Sequence, residues 1–173
     1  MTTLVQWTRN VTFRPITKED RPYLVDLIAL CGPATQRLFN PCGNFYTGGG
    51  AGYVLCFEHN IACGHVYVAE SDSHLVGLGY LYPSESEHIA CFGILVADPY
   101  QRRGIGTRLI QFLEDAARDL GYVAFRTSGG TSPTGPLRRI LAKRGYVVTG
   151  MLNGNVMMET RLVDGAHDGD SVE

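Results

Sequence analysis

The sequence has no apolar run approaching the roughly 20 residues that a bilayer-spanning helix needs, and Met1 to Asn10 contain no apolar core of signal-peptide length. A cytoplasmic protein without membrane contact is therefore the expectation. Any Cys-x-x-Cys pair is missing as well. The five cysteines, Cys31, Cys42, Cys56, Cys63 and Cys91, form an odd set that argues for reduced thiols over a disulfide framework. Cys42, Cys56 and Cys63 with His65 match no ordinary zinc spacing, so no metal is expected. There is no excess of positive charge either: a net charge of −2 gives no general reason to bind nucleic acid. What is present is a chain of 173 residues, 45% hydrophobic and 18% charged, which suits one globular domain with a full core. The pattern divides it into an N-terminal extension over 1–10, a single domain over 11–162 and a loose acidic tail over 163–173.

The most informative stretch runs from Leu95 to Ile110. Ile89 to Ala97 is an unbroken series of small and apolar residues, as in a strand covered on both faces. Beyond it, Ile105, Leu109, Leu113, Ala116 and Leu120 recur at helical spacing, while Arg108, Glu114, Asp115, Arg118 and Asp119 fall largely elsewhere, and Gly121 supplies the stop. Between strand and helix lies Gln101-Arg102-Arg103-Gly104-Ile105-Gly106-Thr107. Gly104 and Gly106 permit a sharp bend and close approach of backbone N–H groups to a ligand. The unpaired amides of the first helical turn carry partial positive charge, which Arg102 and Arg103 reinforce, so the loop attracts an anion, above all a diphosphate. Two common phosphate loops are excluded: Leu109 stands where a dinucleotide fingerprint needs its third glycine, and Gly-Lys-Ser/Thr never occurs.

The pattern that remains, Gln/Arg-x-x-Gly-x-Gly/Ala after a strand, resembles the acyl-CoA-binding motif of the GNAT (Gcn5-related N-acetyltransferase) superfamily. Val11 to Asp20 resembles that family's opening strand and helix start, and Leu137 to Tyr146 its late helix followed by Gly-aromatic. Val96 to Gly106 with Phe13-Arg14-Pro15-Ile16 is most similar to the branch of bacterial protein lysine acetyltransferases. The resemblance implies a mixed α/β sheet, mostly antiparallel, splayed between strands 4 and 5, with helices on both faces. It implies acetyl-CoA as cosubstrate, its pyrophosphate over the amides of Arg102, Arg103, Gly104, Ile105, Gly106 and Thr107, with Gln101 and Thr134 as further contacts. Its pantetheine arm would run as an added strand beside Leu95 and Val96. The implied reaction is acetyl transfer to a primary amine, a protein lysine or a small molecule, by direct attack in a ternary complex; the protein would act as monomer or homodimer.

The proton-handling residues depart from the family pattern. Where related enzymes carry a glutamate about ten residues before the loop glutamine, this chain has Cys91; where many place a tyrosine in the late helix, it has Leu141; a cofactor-contacting asparagine is replaced by Thr134. Glu87 shares the strand face of Cys91 by period-two alternation and is the expected base, directly or through water, with Cys91 as a possible substrate contact. His88 faces the other way in a regular strand. An acyl-cysteine step would need a basic partner for Cys91, and none stands near it in sequence. The missing groups leave a second reading: a catalytically impaired acyl-CoA-binding regulatory module.

The rest of the chain supplies the frame. Val11 to Pro15 reads as a strand, Thr17 to Asp20 as a capping box before a helix carrying Leu24, Leu27, Ile28 and Cys31, and Pro33 opens a short second helix. The glycine-rich 40–64 segment reads as a surface loop, and the resemblance implies that it lies near the acceptor. His65 to Glu70 and Leu75 to Tyr82 form a hairpin signal, Tyr122 to Thr127 a strand, Leu137 to Leu141 a short helix, and Asn153-Gly154 a turn joining two final strands.

Overall fold

The structure is a computed structural model that describes residues 11–38, 65–86, 88–127 and 131–162. Seven strands form one sheet: β1 (Val11–Pro15), β2 (His65–Ser71), β3 (His74–Pro83), β4 (Ile89–Val96), β5 (Ala124–Thr127), β6 (Val147–Leu152) and β7 (Asn155–Arg161). Their spatial order is β1-β2-β3-β4-β5-β7-β6. Every pairing is antiparallel except β4 with β5. That parallel pair requires a long crossover, which α3 (Ile105–Asp119) provides. Among the described residues the other α-helices are α1 (Arg21–Ala29), α2 (Pro33–Leu38) and α4 (Pro136–Lys143). The expected mixed α/β sheet is therefore present.

Two hairpins close on residues suited to left-handed backbone. Asp72-Ser73 (φ 49° and 62°) joins β2 to β3, and Asn153-Gly154 (φ 50° and 80°) joins β6 to β7, both central residues positive as a type I′ turn requires. Helices cover both faces of the sheet. On one, Leu24, Leu27, Ile28 and Cys31 of the α1 region pack with Val66, Val68, Leu78, Tyr80 and Leu95. On the other, Leu109, Ile110, Leu113 and Ala117 of α3 and Leu141 of α4 pack with Leu81, Ala90, Phe92, Phe125, Val156 and Met158. The rings of Phe92 and Phe125 stack across the parallel pair with centroids 4.1 Å apart.

The apolar stripe of α3 differs from the sequence reading at its far end. Ala117 is buried and Leu120 exposed, and Glu114, expected on the polar face, is 5% exposed. The buried carboxylate is matched by partners from after α4: Tyr146 Oη donates to it at 2.8 Å, and Arg144 donates through Nε at 3.2 Å and through Nη2. A second clamp ties the opposite edge. Arg14 on β1 donates to both oxygens of Asp20 at 2.7 and 2.8 Å and to Glu70 on β2 at 2.9 Å, while Thr17 N–H donates to Asp20 at 2.8 Å.

Candidate active site

The site begins where β4 loses its neighbour. Pairing with β5 runs from Ile89↔Ala124 to Phe92↔Thr127, and no described strand flanks the β5 side of Gly93 to Val96. On the other side β3 stays paired to the end, Gly79 with Ile94 and Gly77 with Val96. The sheet is thus opened along the second half of β4.

Strand alternation decides which backbone groups the opening exposes. The carbonyl of His88 accepts from Val123 N–H on the β5 side, whereas Ala97 N–H donates to Val76 on the β3 side. Even-numbered residues of β4 therefore face the opening and odd-numbered ones face β3. Leu95 was expected to offer its backbone to the cofactor; that expectation is corrected, because Leu95 sits opposite Leu78 and directs its amide to β3. The amides on the open edge are those of Ile94 and Val96. Sequence periodicity predicts that the groups alternate, but only the tertiary pairing sets which parity faces out.

The loop after β4 is braced from below. Asp98 accepts from Gly32 N–H at 3.1 Å and from Thr35 Oγ1 at 2.6 Å, tying the loop to the α1–α2 junction. The Gln101 side-chain amide lies 2.9 Å from the Val96 carbonyl, 3.0 Å from Asp98 Oδ1 and 3.2 Å from Thr35 Oγ1. Gln101 was expected at the cofactor; its side chain instead holds strand end, loop and α2 together, and it caps the one carbonyl that Val96 turns to the opening. Arg102 has φ 59° and Gly104 φ 81°. Left-handed backbone at a non-glycine residue costs on the order of 1 kcal/mol, and such turns between right-handed neighbours bring successive N–H groups to one side as an anion nest. Gly104 is the N-cap of α3, so the free amides of Ile105, Gly106 and Thr107 continue that nest. Arg103 stands over the Tyr100 ring at 5.4 Å. A Cβ on Gly106 would meet only Ile94 Cδ1 at 3.7 Å and Val96 Cγ2 at 3.8 Å, ordinary contacts. The fold therefore does not itself demand a glycine there, whereas close approach by an anion does. Thr134 is exposed, two residues ahead of α4.

Beside the opening, on the face turned toward α1, Cys91 pairs with Arg126 on β5 and Arg126 with Glu159 on β7. Burial pushes the Cys91 thiol up; Arg126 opposes this and Glu159 adds to it. A protonated, buried thiol is a poor nucleophile. Tyr80 lies over β4 at the same place: a Cβ on Gly93 would fall 2.3 Å from its hydroxyl. Leu141, at the tyrosine position of the late helix, is wholly buried. Glu87, the expected base, lies outside the described residues, as does the 40–64 loop, and His88 is exposed. The Arg126–Glu159 pair escaped the sequence reading because 33 residues separate its members; only alternation within two strands hinted at a shared face.

An acetyltransferase (GNAT) family model matches residues 34–156. The chain belongs to the GNAT family of acetyltransferases. Solved structures share the fold: the GNAT domain of S. lividans PAT (TM-score 0.73, 19% identity, 87% of this chain and 90% of that one) is one such neighbour. Others are yncA of Salmonella typhimurium, solved with its cofactor acetyl-CoA (0.67, 18%, 91% and 96%), and an N-acetyltransferase from Staphylococcus aureus Mu50 (0.67, 16%, 89% and 99%). No curated protein sequence matches the chain. Family membership makes the protein an acyltransferase.

Proposed function

We propose that the protein transfers an acetyl group from acetyl-CoA to a primary amine by direct attack in a ternary complex. One observation carries the reading: β4 keeps β3 but loses β5 after Phe92, and the loop that follows β4 turns through left-handed Arg102 and Gly104 into the N-terminus of α3. The residues present fit the cofactor. The nest amides from Arg102 to Thr107 take the diphosphate, Ile94 and Val96 offer N–H groups to the pantetheine amides, and Thr134 remains available to the arm. A structural neighbour, yncA, holds acetyl-CoA. The thioester then emerges where β4 and β5 part.

Amide formation from a thioester needs a deprotonated amine, and alignment and polarisation supply most of the acceleration. Holding amine and carbonyl in register contributes about 7–11 kcal/mol, and a backbone N–H aimed at the developing oxyanion about 3 kcal/mol. The acceptor is a protein lysine or a small amine; the likeness of Val96 to Gly106 and Phe13 to Ile16 to the protein lysine acetyltransferase branch favours the former. Calorimetry with acetyl-CoA followed by thiol release over an amine panel including a lysine peptide and spermidine tests the proposal. Binding with release supports it, binding without release for every acceptor supports the regulatory module instead, and loss of binding in Gly106→Glu assigns the affinity to the nest.

A further inference from the structure

The row Cys91, Arg126, Glu159 lies across β4, β5 and β7 on one face, at the register where the parallel pairing is about to end. Within it the ion pair is asymmetric. Arg126 Nε donates to Glu159 Oε2 at 2.6 Å and Nη2 approaches the same oxygen at 2.5 Å. Oε1 accepts no hydrogen bond from any described residue. The side chains are 33% and 21% exposed, so solvent-borne molecules reach the pair without it being freely hydrated. Cys91, at 8% exposure, is small where the family pattern has a longer carboxylate, and it is paired with Arg126 of β5. Arg126 fixes the orientation of the carboxylate through Oε2, and Oε1 keeps lone pairs with which it can accept a further N–H group.

Resting on the acetyl-transfer reading above, we propose that Glu159, positioned by Arg126, is the carboxylate that receives the acceptor amine's proton. The ammonium gives one proton to Oε1, and the freed nitrogen lone pair attacks the thioester carbonyl carbon to form the C–N bond. The tetrahedral intermediate breaks its C–S bond, the second nitrogen proton goes to the departing thiolate, and Glu159 returns its proton to water. Glu159 is the catalytic residue and Arg126 a positioning residue.

The test uses the full chain and whichever amine of the panel the wild type acetylates fastest. Glu159→Gln and Glu159→Ala are expected to lower kcat roughly 10²- to 10⁴-fold, the range for a general base, with acetyl-CoA affinity held. Added formate is expected to restore rate to the alanine variant, because a small carboxylate occupies the vacated volume. Glu159→Asp should retain an intermediate rate, and calorimetry on the CoA complex should show weaker binding of the amine to Glu159→Gln than to wild type. Arg126→Met should lower kcat without formate rescue and without loss of acetyl-CoA affinity. A Glu159→Gln variant with wild-type kcat, or a loss in Glu159→Ala that formate does not recover, overturns the assignment. Failure of the wild type to release thiol with any amine overturns the acetyl-transfer reading itself.

Discussion

Two glycines near the opening carry opposite demands. At Gly93 the demand comes from the protein, since a methyl group would fall 2.3 Å from the Tyr80 hydroxyl. Gly93→Ala is expected to cost about 1–3 kcal/mol of stability through displacement of that ring, read from denaturant melts. At Gly106, in the first turn of α3, the protein leaves room for a methyl group. Gly106→Ala should keep or raise stability, by up to about 1 kcal/mol from helix propensity, while weakening acetyl-CoA binding in calorimetry. A parallel loss of fold and affinity would show that the glycine serves packing and not ligand approach.

Element contacts depend on charges that the chain places far apart. Glu114 fastens α3 to the turn between α4 and β6, with Arg144 and Tyr146 as its partners. Burial beside this carboxylate pushes the Tyr146 hydroxyl far above its ordinary range, so it stays a donor at every working pH. Arg144→Met leaves a buried carboxylate without its counter-charge and should cost about 3 kcal/mol; Tyr146→Phe removes a single bond and should cost about 1 kcal/mol. At the other edge, hydrogen bonds from Arg14 hold the Asp20 carboxyl down at about 2 against burial, assisted by Thr17. Because the folded value lies below the ordinary carboxylate range, the stabilisation is complete above pH about 4 and disappears as the pH falls through about 2, amounting to about 2 kcal/mol. Denaturant melts from pH 7 to pH 2 should show this loss, and Asp20→Asn should remove that part of the slope. A slope unchanged by the substitution would place the acid sensitivity in other carboxylates.

At the scale of the whole molecule, the sheet is two parts, β1 to β4 and β5, β7, β6, joined through the four residue pairs from Ile89↔Ala124 to Phe92↔Thr127. In the proposed binding mode acetyl-CoA lies along the open edge of β4 beside this junction. Saturating acetyl-CoA at about a hundred times its Kd should add about 2.7 kcal/mol of stability, seen as a rise in Tm. Hydrogen exchange should slow at the Ile94 and Val96 amides and change little at Leu95, which β3 already holds. Protection of Leu95 in place of its neighbours would reverse the strand parity derived above.

The strand, turn and helix around Gln101 to Thr107 were legible in the sequence because their causes are local: an apolar run, two glycines at a bend, and apolar residues at helical spacing. The same holds for the capping at Thr17–Asp20, the Asn153-Gly154 turn and the α1 face, whose residues are buried as the periodicity predicts. Three features were not legible: the parity of β4 at its open edge, the engagement of Gln101 with Val96, Asp98 and Thr35, and the meeting of Arg126 with Glu159. Each depends on which strand or helix lies alongside, a long-range choice made by packing two apolar faces at once. The sequence by itself determined the elements, their order and the two-glycine turn into α3, since backbone preference and side-chain period act within a few residues. Tertiary structure alone decided which amides of β4 lie on its open edge and that Arg126 meets Glu159, since hydrogen-bond direction and charge proximity exist only between segments that folding has brought together.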